Sequence, residues 1–85
     1  KTKQYIFHAD PGHGWLAVKR QELKKLGITG KISSCSYQKG DTVYLEEDCD
    51  SAAFITAKET AGETVECRES FSDPSPIRNY ERYRK

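Results

Sequence analysis

The sequence contains no long apolar run, and residues 1–20 lack the apolar segment of a secretory signal. A transmembrane helix needs about 20 consecutive apolar residues, so we predict no membrane contact. The three cysteines, Cys35, Cys49 and Cys67, are odd in number and widely spaced, which is not the pattern of a disulfide framework. We therefore expect free thiols in a reducing compartment, with at least one of them buried as a small apolar side chain.

The signatures of common catalytic sites are also missing. There is no Gly-rich phosphate loop, no nucleophile elbow built on serine and no CxxC pair. A cysteine nucleophile with His8 or His13 as its base has no local signature to support it. A chain of 85 residues buries only about 60% of its unfolded surface, which leaves little core to enclose a substrate pocket. We predict a protein that is not an enzyme and requires no cofactor.

Apolar residues make up 35% of the chain, charged residues 32% and aromatic residues 11%. This content of aromatic residues indicates a folded chain rather than a disordered one. Strand-like runs occupy residues 4–8, 15–18, 32–37, 42–46 and 63–67, and helical patterns occupy residues 19–26 and 51–61. Gly27 and Gly62 follow the two helical patterns and are expected to end those helices.

These elements predict a single α+β domain over residues 1–69. Its order is β-β-α-β-β-α-β, with an antiparallel sheet of about four or five strands and two short helices on one face. Residues 70–85 contain two prolines, Pro74 and Pro76, among serines, and then a run of Arg and Tyr. We predict a linker followed by a basic aromatic tail.

Charge is unevenly distributed along the chain. Residues 1–45 carry eight Lys/Arg against three Asp/Glu, residues 46–73 carry two against nine, and residues 74–85 carry four against one. The acidic segment begins with a dense run, and three interpretations of that run stay open: a helix entry with an N-cap at Asp48 or Asp50, a divalent-cation site, or a patch that meets a basic partner. The residues of this acidic run are Glu46, Glu47, Asp48 and Asp50.

The C-terminal residues Tyr80, Arg82 and Tyr83 interleave aromatic rings with positive charge. Tyr and Arg are enriched at protein interfaces, and the same pairing binds single-stranded nucleic acid. A solvated terminus attached to the body by its tyrosines is the third interpretation. Trp15 is expected in the core, or at a binding surface if it is exposed.

A second candidate site lies at a predicted turn. His8, Asp10 and His13 fall within six residues of one another and could bind a metal ion, with Cys35, Cys49 or Asp48 as a further ligand. The alternative is that Asp10 caps the turn and the two histidines make ordinary hydrogen bonds.

Several segments of this chain together resemble a group of short proteins encoded by bacteriophages and plasmids. The resemblance lies in Gly12-His13-Gly14-Trp15-Leu16, Lys31-Ile32-Ser33, Ser36-Tyr37-Gln38-Lys39-Gly40-Asp41, Val43-Tyr44-Leu45-Glu46-Glu47-Asp48-Cys49-Asp50 and Ser75-Pro76-Ile77-Arg78-Asn79-Tyr80. It covers about half of the chain and transfers no catalytic residues, so what it implies rests on genome context and size rather than on chemistry. It implies a mobile-element origin, and small accessory proteins of phages often inhibit host defence systems such as CRISPR effectors and restriction enzymes.

From these features we expect a non-catalytic module that binds a host protein, as an inhibitor of the anti-CRISPR or anti-restriction type, in the bacterial cytoplasm. The expected contacts are the acidic run and the Tyr80/Arg82/Tyr83 segment, and the molecule is expected to be a monomer or a homodimer. The first alternative is a nucleic-acid-binding regulator that uses the tail and the basic residues Lys19, Arg20, Lys24 and Lys25. The second alternative is a metal-binding domain or enzyme built on His8, Asp10 and His13.

Overall fold

Six strands and two helices are present in the computed structural model, which describes residues 2–73 and 75–85. The strands form one mixed sheet in the order β5-β1-β2-β4-β3-β6. The elements in chain order are β1 (Thr2–Ala9), β2 (Gly14–Lys19), α1 (Arg20–Leu26), β3 (Tyr37–Lys39), β4 (Thr42–Glu46), α2 (Ser51–Thr60), β5 (Thr64–Phe71) and β6 (Glu81–Arg82). The predicted α+β class is confirmed.

The predicted antiparallel sheet of four or five strands is wrong in detail, because β5 pairs in parallel with β1 along its whole length. The reason is the connection through α2. The chain leaves β4, crosses one face of the sheet as a helix, and re-enters beyond β1 in the direction of β4. A helical crossover of this kind joins parallel strands, whereas the hairpins β1–β2 and β3–β4 remain antiparallel.

Both helices pack on the same face of the sheet. Leu23 from α1 and Phe54 from α2 have no exposed surface and join the core with Leu16, Val43 and Leu45 from the central strands. The chain leaves α1 through Gly27, whose φ of 71° is the left-handed value that glycine adopts without strain. The predicted end of the first helix is therefore confirmed.

Residues 32–36 were expected to extend the third strand, but they form a loop, and β3 begins only at Tyr37. The cause is a buried carboxylate. Asp50 accepts hydrogen bonds from the backbone N–H of Ser33 at 3.1 Å and from the hydroxyls of Ser33 and Ser36. Because the backbone N–H of Ser33 bonds to Asp50, it is not available for a strand ladder, and the two hydroxyls hold the segment against the carboxylate.

The segment predicted as a linker and tail belongs to the fold over most of its described length. Residues 70 and 71 continue β5, residues 76–79 form a short 3-10 helix, and β6 pairs with β3 at the far edge of the sheet. Tyr83 is 4% exposed and lies in the helix-side core, where its hydroxyl donates to the carbonyl of Thr29 at 2.8 Å. Pro74 lies outside the described residues.

Neither helix in the described part of the chain has the length and apolar character needed to cross a bilayer.

Candidate functional site: an aromatic cleft on the outer face of the sheet

The sheet face opposite the helices, here called the outer face, is rich in aromatic side chains. Side chains alternate along a strand, and residues paired across strands project to the same side. The pairs Ala17–Tyr44, Tyr44–Tyr37 and Tyr37–Arg82 therefore place one row on the outer face. Trp15 lies two residues before Ala17 on β2 and projects to the same side. It is 2% exposed, which confirms its predicted burial, although it lies outside the helix-side core cluster.

Cationic side chains from the C-terminal segment stack on this aromatic row. Arg78 lies 5.5 Å from the ring centre of Trp15, and Arg82 lies 4.8 Å from that of Tyr37. A third pair extends the surface, with Lys39 4.7 Å above the ring of Tyr80. A cation over an aromatic face is attracted by the ring quadrupole, so these pairs hold their cations in place at the surface.

The position of Arg78 is fixed by Asp10 in the β1–β2 turn. The side chain of Asp10 is 1% exposed and accepts two hydrogen bonds from the Arg78 guanidinium. These bonds, followed by those from backbone N–H groups, lower the pKa of Asp10 well below its ordinary value. Asp10 therefore both caps its own turn and holds the C-terminal segment on the outer face.

A cavity of about 380 Å³ opens beside Trp15. It is small for a ligand site, at the lower end of the usual range of 300–1,000 Å³. Its lining comes from the β1–β2 turn, the loop before β3, the β4–α2 connection and the C-terminal segment. The lining residues are His13, Trp15, Cys35, Tyr37, Glu46, Asp48, Cys49, Arg78 and Arg82. We call this feature the cleft.

The acidic run divides into buried and exposed members. Glu46 and Asp50 are buried, whereas Glu47 and Asp48 are exposed. Asp50 occupies the N-cap position of α2, but its side chain makes no capping hydrogen bond there and instead binds the loop before β3. In the described residues only Glu47 and Asp48 of this run are therefore open to a partner.

The C-terminal candidates divide in a similar way. Tyr83 is in the core, Tyr80 is half-buried against Tyr44, and Arg82 is exposed at the cleft. The structure thus brings Arg82 and Asp48, from the two predicted contact surfaces, to the lining of one cleft. Sequence reasoning did not identify Arg78 and Tyr37 as site residues, because their role arises from pairing between distant strands and from the bond to Asp10.

The predicted metal trio is not brought together as a unit. The carboxylate of Asp10 is hydrogen-bonded to Arg78. His8 lies on the outer face against Tyr44, where burial lowers the pKa of its imidazole. The third member, His13, turns toward Glu46 instead, with 3.2 Å between its Nδ1 and Oε2 of the carboxylate. His13, Glu46 and Asp48 each offer a ligand atom, and the three atoms lie within 4.8 Å of one another.

All three cysteines are free and exposed, so the expectation that at least one is buried is wrong. Cys35 and Cys49 line the cleft and lie beside each other. The neighbouring Cys35 thiol, then burial and the Glu46 carboxylate, raise the pKa of Cys49 to about 12. A thiol with a raised pKa is a poor nucleophile, so this environment does not favour cysteine catalysis.

The basic residues of the nucleic-acid alternative lie around α1. Arg20 donates a hydrogen bond to the backbone carbonyl of Arg84 at 3.0 Å. A shallow surface depression is lined by Arg20, Lys24, Arg84 and Lys85 together with Gln38. The C-terminus thus adds two cations to this basic patch.

The chain matches no protein-family model, and no curated protein and no solved structure is significantly similar to it.

Proposed function

We propose that this domain is a non-catalytic protein-binding module whose contact surface is the outer face around the cleft. One observation supports this most strongly: three cations, Arg78, Arg82 and Lys39, are stacked on aromatic rings of a single face. Trp, Tyr and Arg are the residues that contribute most to binding energy at protein interfaces. On this face, residues of these three types lie next to one another.

The face is prepared for binding because its side chains are already held. Arg78 is fixed by Asp10, and Arg82 donates to the carbonyl of Ser34 at 3.0 Å while it stacks on Tyr37. Association loses about 0.5–1.5 kcal/mol for each flexible side chain that it immobilises. A surface whose long side chains are ordered in advance avoids part of that loss.

The charges around the face favour a particular partner. Glu47 and Asp48 are exposed at the β4–α2 connection, beside the cleft. They form an acidic rim next to the stacked arginines, and such two-signed surfaces orient a partner as it docks. We propose that the partner is a host protein whose basic, nucleic-acid-binding groove meets the acidic rim and whose acidic groups beside that groove meet the stacked cations. The proposed outcome is inhibition, of the kind that mobile elements use against host defence.

The test is capture of a partner from nuclease-treated bacterial lysate by tagged wild-type protein, followed by the same capture with Arg82→Ala. Arg68→Ala is the matched control, since Arg68 is an exposed arginine on β5, at the opposite edge of the sheet from β6 and outside the cleft lining. The proposal expects one host protein in near-equal amount, lost with Arg82→Ala and kept with Arg68→Ala. Capture at the wild-type level by both variants would exclude the surface around the cleft as the contact surface.

A nucleic-acid-binding regulator is the second candidate, favoured by the basic patch of Arg20, Lys24, Arg84 and Lys85. Phosphate contacts make binding fall steeply with salt. Binding of single-stranded DNA or RNA that weakens with salt, and that is reduced by Lys24→Ala but not by Arg82→Ala, would select this function over the first.

A further inference from the structure

Glu46 and Asp50 both have buried carboxylates without a Lys or Arg partner among the described residues, but Asp50 is bonded to groups of Ser33 and Ser36 whereas Glu46 lines the cleft. The Glu46 side chain is 9% exposed, and in residues 2–73 and 75–85 no Lys or Arg is ion-paired with it. Its contacts are the His13 imidazole at Oε2 and the backbone N–H of Asp48, which donates to Oε1 at 2.9 Å. Buried carboxylates are normally paired with a full positive charge or bind a metal ion.

The surrounding groups leave that negative charge uncompensated. Asp48 makes no ion pair within the described residues, and Cys49 adds a thiol beside Glu46. The two guanidiniums that line the cleft are engaged elsewhere, Arg78 with Asp10 and Arg82 with the carbonyl of Ser34.

The geometry matches a small cation with few ligands. Tetrahedral zinc with nitrogen and oxygen ligands at about 2.0–2.2 Å places those ligand atoms about 3.3 Å apart. The His13 and Glu46 ligand atoms are 3.2 Å apart, and the Asp48 oxygen lies within 4.8 Å of both. Asp48 is exposed, and zinc coordination requires its carboxylate to move closer to the other two ligand atoms.

Hydrogen bonds from neighbouring residues also fix the backbone positions of two of the three ligand residues. Asp10 Oδ1 accepts from the backbone N–H of His13 at 2.9 Å, which fixes the turn that carries the imidazole. Glu46 is the last residue of β4, and its N–H donates to the buried hydroxyl of Ser36. Such supporting hydrogen bonds orient metal ligands in known sites.

Trp15 supplies an independent sign that the cleft receives a ligand. The indole is 2% exposed and lines the cleft, yet its N–H has no acceptor among the described residues. A buried donor without an acceptor is rare in folded proteins. The unsatisfied N–H therefore indicates that a further group enters the cleft.

We propose that His13, Glu46 and Asp48 form a zinc site, with the thiolate of Cys49 as the fourth ligand. The mixture of nitrogen, sulfur and oxygen donors favours zinc over calcium or magnesium, which prefer six or more oxygen ligands. This proposal is independent of the proposed partner protein, because zinc binding can be measured on the domain alone.

The experiment is calorimetric titration of zinc into metal-free full-length protein under reducing conditions. We expect one zinc per chain, with affinity at least about tenfold lower in His13→Ala, Asp48→Asn and Cys49→Ser, since even supporting residues cost tenfold. The matched controls are His8→Gln and Cys67→Ser, which change the same residue types outside the cleft. Both controls should bind zinc like the wild type.

Cobalt(II) in place of zinc reports on the ligands through its visible and near-ultraviolet absorption. A sulfur-to-cobalt charge-transfer band in the wild type, absent in Cys49→Ser, would support Cys49 as a ligand, and its absence in the wild type would overturn that assignment. Wild-type zinc affinity in His13→Ala, with the fold confirmed by circular dichroism, would overturn the site as a whole. Equal losses in variants and controls would also overturn it, since the binding would then be nonspecific.

Discussion

The carboxylate of Asp10 joins the β1–β2 turn to Arg78, 68 residues later in the chain. The two hydrogen bonds measure 2.5 Å to Nε and 2.9 Å to Nη2, and Asp10 also accepts from the backbone N–H of Ser75 at 3.2 Å. One buried side chain thus connects the start of the chain to the segment that covers Trp15.

Asp10→Asn should lower the stability of the domain, because a neutral amide cannot accept two hydrogen bonds from a guanidinium and bond the backbone as well. The folded-state pKa of Asp10 is lowered, so its contribution is complete above the unfolded pKa of about 4 and is lost as the pH falls toward the folded value. Urea unfolding at pH 7 should show a lower midpoint for the variant than for the wild type.

The same comparison below pH 4 separates this account from a general packing defect. The difference between the two proteins should shrink as the Asp10 carboxyl of the unfolded wild type becomes protonated. A difference that stays constant from pH 7 to pH 3 would show that the charge of Asp10 contributes nothing.

Tyr83 should stabilise the domain although it is the third residue from the C-terminus. Tyr83→Ala removes a ring that packs in the core and should cost about 3–5 kcal/mol, as other buried aromatic truncations do. Tyr83→Phe removes only the hydrogen bond to the carbonyl of Thr29 and should cost about 1 kcal/mol. Denaturant unfolding measures both, and Tyr80→Ala, at a half-buried position, is the comparison that should lose less.

Local patterns predicted most of the secondary structure. Leu23 with the following Gly27 identified α1 and its end, and the alternation around Val43 and Leu45 identified β4. Local patterns could not predict the position and direction of each strand in the sheet. The parallel pairing of β5 and the burial of Tyr83 depend on contacts between residues far apart in sequence, and no periodicity within a segment encodes them.

The candidate site was predictable in composition but not in arrangement. The density of acids from Glu46 to Asp50 and the mixture of Arg and Tyr at the C-terminus both marked residues that line the cleft or lie near it. Sequence could not separate Asp50, which is buried in a hydrogen-bond network, from Asp48, which is exposed. Nor could it show that His13 faces Glu46 rather than His8, since that depends on the pairing of β2 with β4.

Asp50 and Asp48 provide a direct test of that separation. Asp50→Ala leaves the hydroxyl of the fully buried Ser36 and the N–H of Ser33 without their acceptor, which should cost about 2–4 kcal/mol. Asp48→Ala, on the exposed side of the same turn, should stay within about 0.5 kcal/mol of the wild type. Equal losses in thermal or urea unfolding would contradict the assignment of Asp50 to a structural role.

Gly14 allows the β1–β2 turn to lie against the ring of Phe7. A methyl group added at Gly14 would lie 2.3 Å from Cζ and 2.5 Å from Cε2 of Phe7, closer than any stable contact. Because the Phe7 ring packs against the helix-side core, it can move aside only by losing some of those contacts. Gly14→Ala should therefore destabilise the domain by about 1–3 kcal/mol, the usual effect of overpacking.

Gly30→Ala is the matched control for this prediction. The nearest atoms to an added methyl group there belong to the flexible end of Lys85 at 4.0 Å, which is an ordinary contact. Gly30 lies in a short 3-10 helix, where alanine reduces the freedom of the unfolded chain, so this variant should equal the wild type or exceed it slightly in melting temperature. A Gly14→Ala protein that melts at the wild-type temperature would show that Phe7 moves without loss, and that the close approach in the turn does not constrain the residue at position 14.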